Sequence, residues 1–311
     1  MRELICLGEV TVDTIGCARR PAGGGSAAIL ESLGTYWGGR GANAAVFFSA
    51  GRPGATLLAS AGHDFVASGQ RDRLERRGVD CAEVLIEHER PTPRAFVFHE
   101  GAATRTFFYQ AAAPAADRAF AEHVRRATER ERARVVYCTS GRQDLNLHLL
   151  THVAADLRVY APGPQIFHYS AAELAEFLRA ADALFLSEDE AAHLDRVLGV
   201  DAAEMNRALG LAWRVVTRGA SGATLYDGTR EVSRPACRAD AEVDPTGAGD
   251  ALAGAFLAEY LEHGDAPAAL EAGLVAGSFV VEQAGCQERV PTRQQTRERR
   301  GEYAAGRRAH R

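Results

Sequence analysis

Apolar and polar positions alternate along the chain in two rhythms. Short runs two residues in period are followed by longer stretches of helical period, the pattern of a parallel sheet packed between helices. Glu3–Glu9 opens as a short buried strand, and Val10–Ile15 follows with β-branched residues around Asp13. Ala55–Ser60 predicts a strand, and Asp64–Arg77 predicts one charged amphipathic helix closed at Gly78. Arg94–His99 and Thr104–Tyr109 alternate on either side of a turn at Glu100-Gly101, which predicts a hairpin. From Arg134 onward strand and helix take turns. Val135–Cys138 is a strand, Asp144–Ala155 a helix, Ala181–Leu186 a strand and Trp213–Thr217 another. Ser170-Ala171-Ala172-Glu173 is a capping box that starts a helix. Further helices are expected near Ala111–Arg134, over Ala251–Tyr260 and over Pro267–Glu282. Pro21–Ser26 reads as a loop or hairpin tip, and Thr292–Arg311, Arg-rich and polar, as a flexible tail.

Composition narrows the class. The 311 residues carry 46% hydrophobic and 25% charged side chains, as a globular protein does, with a net charge of −5. That balance offers no basic field for nucleic acid or for an anionic membrane surface. No apolar stretch is long enough to span a bilayer and no signal-peptide pattern opens the chain, so a cytoplasmic location is expected. The six cysteines lie far apart without a Cys-x-x-Cys pair, which suggests buried free thiols. All 36 basic side chains are Arg. Without a lysine, neither a P-loop NTPase site nor a Schiff base can be built.

Candidate chemistry concentrates in Val243-Asp244-Pro245-Thr246-Gly247-Ala248-Gly249-Asp250, which runs directly into an apolar helical stretch. The first backbone N–H groups of a helix lack intrahelical partners and carry partial positive charge. The amides of Gly247, Ala248 and Gly249 can therefore cradle an anion. Asp250 stands beside them, where a carboxylate can take a proton from an attacking hydroxyl. An anion hole with an adjacent base is what phosphoryl transfer to an alcohol requires. The same residues also suit an ordinary turn, with Asp250 as a helix cap.

This string resembles the signature Asp-Thr-x-Gly-Ala-Gly-Asp of the ribokinase (PfkB-type) family of sugar and nucleoside kinases. Gly38-Gly39-Arg40-Gly41-Ala42-Asn43 is similar to the family's N-terminal Gly-Gly-x-Gly-x-Asn, about two hundred residues earlier. The resemblance covers residues 1–291. It implies an α/β fold, a three-layer α/β/α domain with a mainly parallel sheet, plus a small β-sheet lid from segments about 11–36 and 93–110. It implies acceptor contacts by Asp13, Gly39 and Asn43. It places nucleotide contacts at Ser187, Glu190, Thr217, Arg218, Gly219 and Gly222. Asp244 and Thr246 would take part in a monovalent-cation site such as one for K⁺, and Glu190 would reach Mg²⁺ through water. ATP and Mg²⁺ are the implied cofactors, and a homodimer through the lid is one way to complete the site. Ser187 stands where the family carries Asn, and with Glu190 it equally fits a capping box.

The activity expected is ATP-dependent phosphorylation of a hydroxymethyl group on a sugar or nucleoside, with no nucleic-acid or membrane partner. Pro162-Gly163-Pro164 with the later Ser170–Glu190 run is similar to the nucleoside-kinase branch, and Phe107-Phe108-Tyr109 offers an aromatic face for a base, whereas the Gly-Gly-Arg-Gly-Ala-Asn run looks ribokinase-like. A sugar or sugar-phosphate kinase is the alternative, and a non-catalytic sugar- or nucleoside-binding relative is another. Two further readings are weaker. Gly39–Ala44 as a dinucleotide fingerprint lacks a surrounding βαβ pattern, and His148 and His152 have metal-ligand spacing without an evident third ligand.

Overall fold

The computed structural model describes residues 1–18, 29–100, 104–110, 114–199, 202–228 and 230–309. The strands are β1 (Arg2–Leu7), β2 (Thr11–Ala18), β3 (Leu30–Gly38), β4 (Ala55–Gly62), β5 (Val79–Asp80), β6 (Val84–Glu87), β7 (Arg94–Glu100), β8 (Thr104–Gln110), β9 (Arg132–Cys138), β10 (Ala154–Tyr160), β11 (Ala183–Ser187), β12 (Trp213–Thr217), β13 (Ala223–Asp227) and β14 (Arg230–Arg234). The helices are α1 (Arg40–Gly51), α2 (Asp64–Ala67), α3 (Gln70–Arg76), α4 (Pro114–Thr128), α5 (Gln143–His152), α6 (Ala171–Ala180), α7 (Glu188–Leu198), α8 (Ala202–Leu209), α9 (Ala248–His263), α10 (Ala266–Val280) and α11 (Arg293–Ala309).

The main sheet runs β14-β13-β12-β11-β10-β9-β1-β4-β5, with β6 also on β4, and only the β13 and β14 pairings are antiparallel. Its central strands are buried on both faces, so alternate residues feed opposite layers. Leu4 and Cys6 of β1 join the core beneath α1, α9 and α10, while Ile5 and Leu7 join the core beneath α4 to α8. Val135 and Tyr137 against Val136 and Cys138 repeat the division on β9. The result is the expected α/β/α sandwich.

A second, four-stranded sheet runs β3-β2-β7-β8. Its central pair, β2 and β7, is parallel, and both edge pairings are antiparallel. Val12, Asp13 and Ile15 of β2 are buried, as are Ala95 and Val97 of β7. This is the small sheet the resemblance implies. The Pro21–Ser26 loop, Gly101 of the hairpin turn and residues 111–113 of the helix expected near Ala111–Arg134 lie outside the described residues; that helix is α4, which ends at Thr128, and residues 132–134 already belong to β9.

Three other elements differ from the periodicity. The single helix expected over Asp64–Arg77 is two, because Gly69 takes a left-handed conformation (φ 80°) and ends the first. The helix expected to reach Ala155 stops at His152. The next residues pair with β9 as strand β10, Ala154 opposite Arg132. Instead of a flexible tail, residues 293–309 form α11. Its Arg299 packs over the Phe279 ring and pairs with Glu282, and its Tyr303 hydroxyl donates to the Pro235 carbonyl. Among the described residues no helix is long and apolar enough to cross a membrane. The described cysteines are free, and all but Cys17 are buried.

Candidate active site

The parallel strands end on one edge of the sheet, and the sequence-predicted site residues gather there, where open α/β sheets bind their ligands. Gly8 and Glu9 follow β1, Ser140 follows β9, Ser187 closes β11 and Thr217 closes β12. Helices α1 and α9 start at this edge and lean on one another. A Cβ on Gly254 would stand 2.3 Å from the Ala44 carbonyl oxygen, so the two backbones touch. The start of α1 is set by the same requirement. Gly39 has φ 101°, and a Cβ there would lie 2.3 Å from the Glu9 carbonyl oxygen. Helix α1 is thereby seated directly on the end of β1, where Ala42 N donates to Glu9 O at 3.1 Å.

The Gly-rich turn opens α9 as expected. Gly247 is left-handed (φ 84°), Gly249 has open space around it, and the helix begins at Ala248. Asp244 holds the turn together. Its carboxylate accepts from Thr246 N (2.9 Å) and Gly285 N (3.2 Å) and lies 3.1 Å from His99 Nε2 of the small sheet.

Asp250 lies in the first turn of α9 and is 7% exposed. Arg40 Nε donates to its Oδ1 and Asn43 Nδ2 to its Oδ2, each at 3.1 Å. Burial pushes the carboxyl group above its ordinary pKa, and the Arg40 charge and the Asn43 hydrogen bond pull the other way. Gln287 Nε2 in turn donates to Asn43 Oδ1 at 2.9 Å. Asp13 reaches the same place from β2. It accepts from the Thr11 hydroxyl at 2.5 Å, and Gly38 leaves room for it, since a Cβ there would be 1.9 Å from Asp13 Oδ2. Burial is the main reason its carboxyl is pushed up to about 7, with Asp250, Asp244 and Glu9 adding repulsion. Asp13, Asn43 and Asp250 therefore lie together, with two carboxylates whose basicity has been raised by their surroundings.

The other predicted residues are arranged differently. Ser187 and Glu190 form a complete capping box on α7: Ser187 Oγ accepts from Glu190 N at 3.3 Å, and Glu190 Oε2 accepts from Ser187 N at 3.0 Å. The Thr217 hydroxyl donates to Leu186 O, and Arg218 pairs with Glu188 at 3.4 Å and with Thr224. Gly219 and Gly222 both have positive φ, and a Cβ on Gly222 would lie 2.1 Å from the Arg234 carbonyl oxygen. His148 and His152 stack on α5 with ring centroids 4.8 Å apart. No group of three potential metal ligands occurs among the described residues. Gly39–Ala44 follows β3 of the small sheet, so no βαβ unit surrounds it.

Arg40, Thr11 and His99 were not singled out by sequence. Arg40 lies inside the N-terminal motif, but its partner is 210 positions away and no local signal announces the pair.

Residues 1–293 match the model of the pfkB family carbohydrate kinases. The chain is 26% identical over 296 residues to a nucleoside kinase of Methanocaldococcus jannaschii, covering 94% of each protein. It is likewise 26% identical to a nucleoside kinase of Methanothermobacter thermautotrophicus, covering 93% of each. Its fold is shared with the Burkholderia thailandensis nucleoside kinase solved in complex with inosine, with a TM-score of 0.86 at 20% identity, covering 97% of this chain and 98% of that one.

Proposed function

The chain belongs to the pfkB family of carbohydrate kinases, phosphotransferases acting on hydroxyl groups, and we propose that within it this protein moves the γ-phosphoryl group of ATP to the hydroxymethyl of a nucleoside. The observation that carries the reading is the position of Asp250, a buried carboxylate in the first turn of α9 directly after the Gly247–Gly249 turn, bonded to Asn43 and close to Asp13. The nucleoside follows from the two archaeal relatives, whose likeness runs the length of the chain.

The residues divide the work. Asp13 accepts hydroxyls of the sugar ring, Asn43 supplies a donor and an acceptor beside it, and Gly39 lets backbone approach. The acceptor hydroxyl is held toward Asp250, which removes its proton as the oxygen attacks. Arg40 opposes the effect of burial on Asp250, because an opposite charge at 3.1 Å favours the carboxylate. The amides of Gly247, Ala248 and Gly249 receive the negative charge of the transferring group, Ala248 N exchanging its bond to the Pro245 carbonyl (3.2 Å) for that contact, with Arg218 adding charge from the nucleotide side. Ser187, Glu190, Thr217, Gly219 and Gly222 line that side. Glu190 fits an Mg²⁺ held mainly by phosphates and water, because such a site needs only one or two protein carboxylates. When bound, the metal neutralises charge on the transferring phosphoryl group. A monovalent cation such as K⁺ beside Asp244 and Thr246 belongs to the same proposal, and its test is the dependence of rate on KCl against a large organic cation.

The small sheet serves as a lid over this space, with His99 reaching Asp244 from β7. Leu33 on β3 and Phe108 on β8 stand exposed on its two edge strands. We assign a homodimer through the lid to them. The wild type should be a dimer by light scattering and Leu33→Asp with Phe108→Asp a monomer; a monomeric wild type overturns the assignment.

ADP release from ATP·Mg²⁺ across ribose, fructose, adenosine, guanosine, cytidine, uridine, inosine and sugar phosphates tests the substrate. Stimulation by nucleosides supports the proposal. Stimulation by sugars alone moves the protein to the carbohydrate branch that its Gly-Gly-Arg-Gly-Ala-Asn run resembles. A folded, ATP-binding protein silent toward all of them would be a non-catalytic binder.

A further inference from the structure

Gln287 is fully buried and spends its side chain on one bond, Nε2 to Asn43 Oδ1 at 2.9 Å; its Oε1 has no donor among the described residues. A buried amide that leaves one of its polar atoms unpaired costs stability, so the bond it does make calls for a reason. The reason is directional. An ionised Asp250 can only accept, and so Asn43 must turn its Nδ2 toward Asp250 and its Oδ1 away. A donor placed against Oδ1 holds the amide in that orientation. The opposite orientation would set Asn43 Oδ1 against the Asp250 carboxylate, two acceptors facing each other without a proton. Gln287 is itself held from outside. Arg73 Nη2 on α3 donates to the Gln287 carbonyl at 2.7 Å, pairs with Glu288 at 3.0 Å and lies over the Trp37 ring of β3 at 4.9 Å.

We propose that Gln287 is a positioning residue: anchored by Arg73, it locks the Asn43 amide so that Nδ2 donates to Asp250 and supports its ionised form. The inference deepens the kinase reading and rests on it for its catalytic meaning. The network itself can be tested without turnover. The other titratable or charged groups that act on Asp250 or feel its charge are Arg40 on α1, Asp13 on β2, Cys6 on β1, Tyr137 on β9 and Cys286 beside the Gly-rich turn. None is removed by a substitution at Gln287.

The experiment compares melting temperatures across pH for wild type, Gln287→Met, Asp250→Asn and the double variant. Methionine keeps the length of the side chain and cannot donate. With the lock gone, Asp250 should bind its proton more tightly. The Gln287→Met deficit should then be small at acid pH, where Asp250 is protonated, and grow as pH rises through its titration. In the Asp250→Asn background the deficit should be the same at every pH. A pH-independent deficit in both backgrounds means that Gln287 only packs, and it overturns the proposal. With the best acceptor from the panel, Gln287→Met should also lower kcat/KM by about two- to tenfold, the scale of one net hydrogen bond. The acidic limb of its pH profile should move upward by roughly half a unit to one unit. An unmoved limb counts against the proposal. If Gln287→Met does not fold, Arg73→Met should reproduce the pH-dependent deficit at smaller size through the loosened loop. Near-normal kcat in Asp250→Asn beside a pH-dependent deficit would sink the base assignment and leave the lock standing.

Discussion

The two halves of the candidate site are built on different principles. On the acceptor side, Arg40, Asn43, Asp250 and Gln287 satisfy one another across the fold, with links spanning 207 to 244 positions of sequence, while Asp13 beside them accepts from Thr11 and is repelled by Asp250. On the nucleotide side, Ser187 and Glu190 satisfy one another at three positions' distance, and Arg218 pairs with nearby Glu188 and Thr224. Buried long-range links tie a side chain's charge state to the packing of whole helices. Local caps need only their own turn. Substitutions on the acceptor side should therefore change chemistry, and those on the nucleotide side should mostly change local stability.

The largest effect should come from Asp250→Asn, which keeps shape and removes the base. We expect kcat to fall by at least ~10²-fold, with circular dichroism unchanged. A kcat near the wild-type value would dissolve the contrast between the halves. Next comes the contact that brings the acceptor half together. Gly254→Val would place a branched side chain against the Ala44 backbone, where even a Cβ fits no closer than 2.3 Å. Overpacking of this kind costs about 1–3 kcal/mol, and here it should also depress activity because it parts α1 from α9. An active, equally stable variant would show that the helices tolerate separation.

Asp13 sharpens the comparison through pH. Its folded pKa lies near 7, above the ordinary carboxylate value near 4, so the native state binds the proton more tightly than the unfolded chain. That contribution to stability is fully present below about pH 4 and is lost as pH rises through about 7. Asp13→Asn should therefore become progressively more stable relative to wild type between about pH 4 and about pH 7. A pH-independent difference between the two melting curves would contradict it. The smallest effect is expected at Ser187. Ser187→Ala removes the cap of α7 and should cost about 1 kcal/mol in urea unfolding, whereas Ser187→Asn keeps a capping side chain and should cost little. A large loss of ATP affinity in Ser187→Ala would mean that this half, too, is more than a cap.

Much of the fold was legible because its causes are local. Apolar strands after Arg134, the hairpin about residue 100, and the boxes at Ser170 and Ser187 all follow from period and capping chemistry. Misjudged boundaries lay where neighbours in space overrode the local pattern. The residues after His152 suit a helix until β9 offers them a ladder, and α11 forms because Phe279, Glu282 and the Pro235 carbonyl await it. By itself the sequence determined the Gly-rich turn, the helix that follows it and the identity of Asp250 as the carboxylate beside the amides, since turn geometry depends on residues in immediate succession. Only the tertiary structure decided what surrounds that carboxylate. Arg40, Asn43 and Gln287 come to it because α1, α9 and the segment after α10 converge at one edge of the sheet. A carboxylate's basicity depends on burial and nearby charge, which the order of residues along the chain does not display.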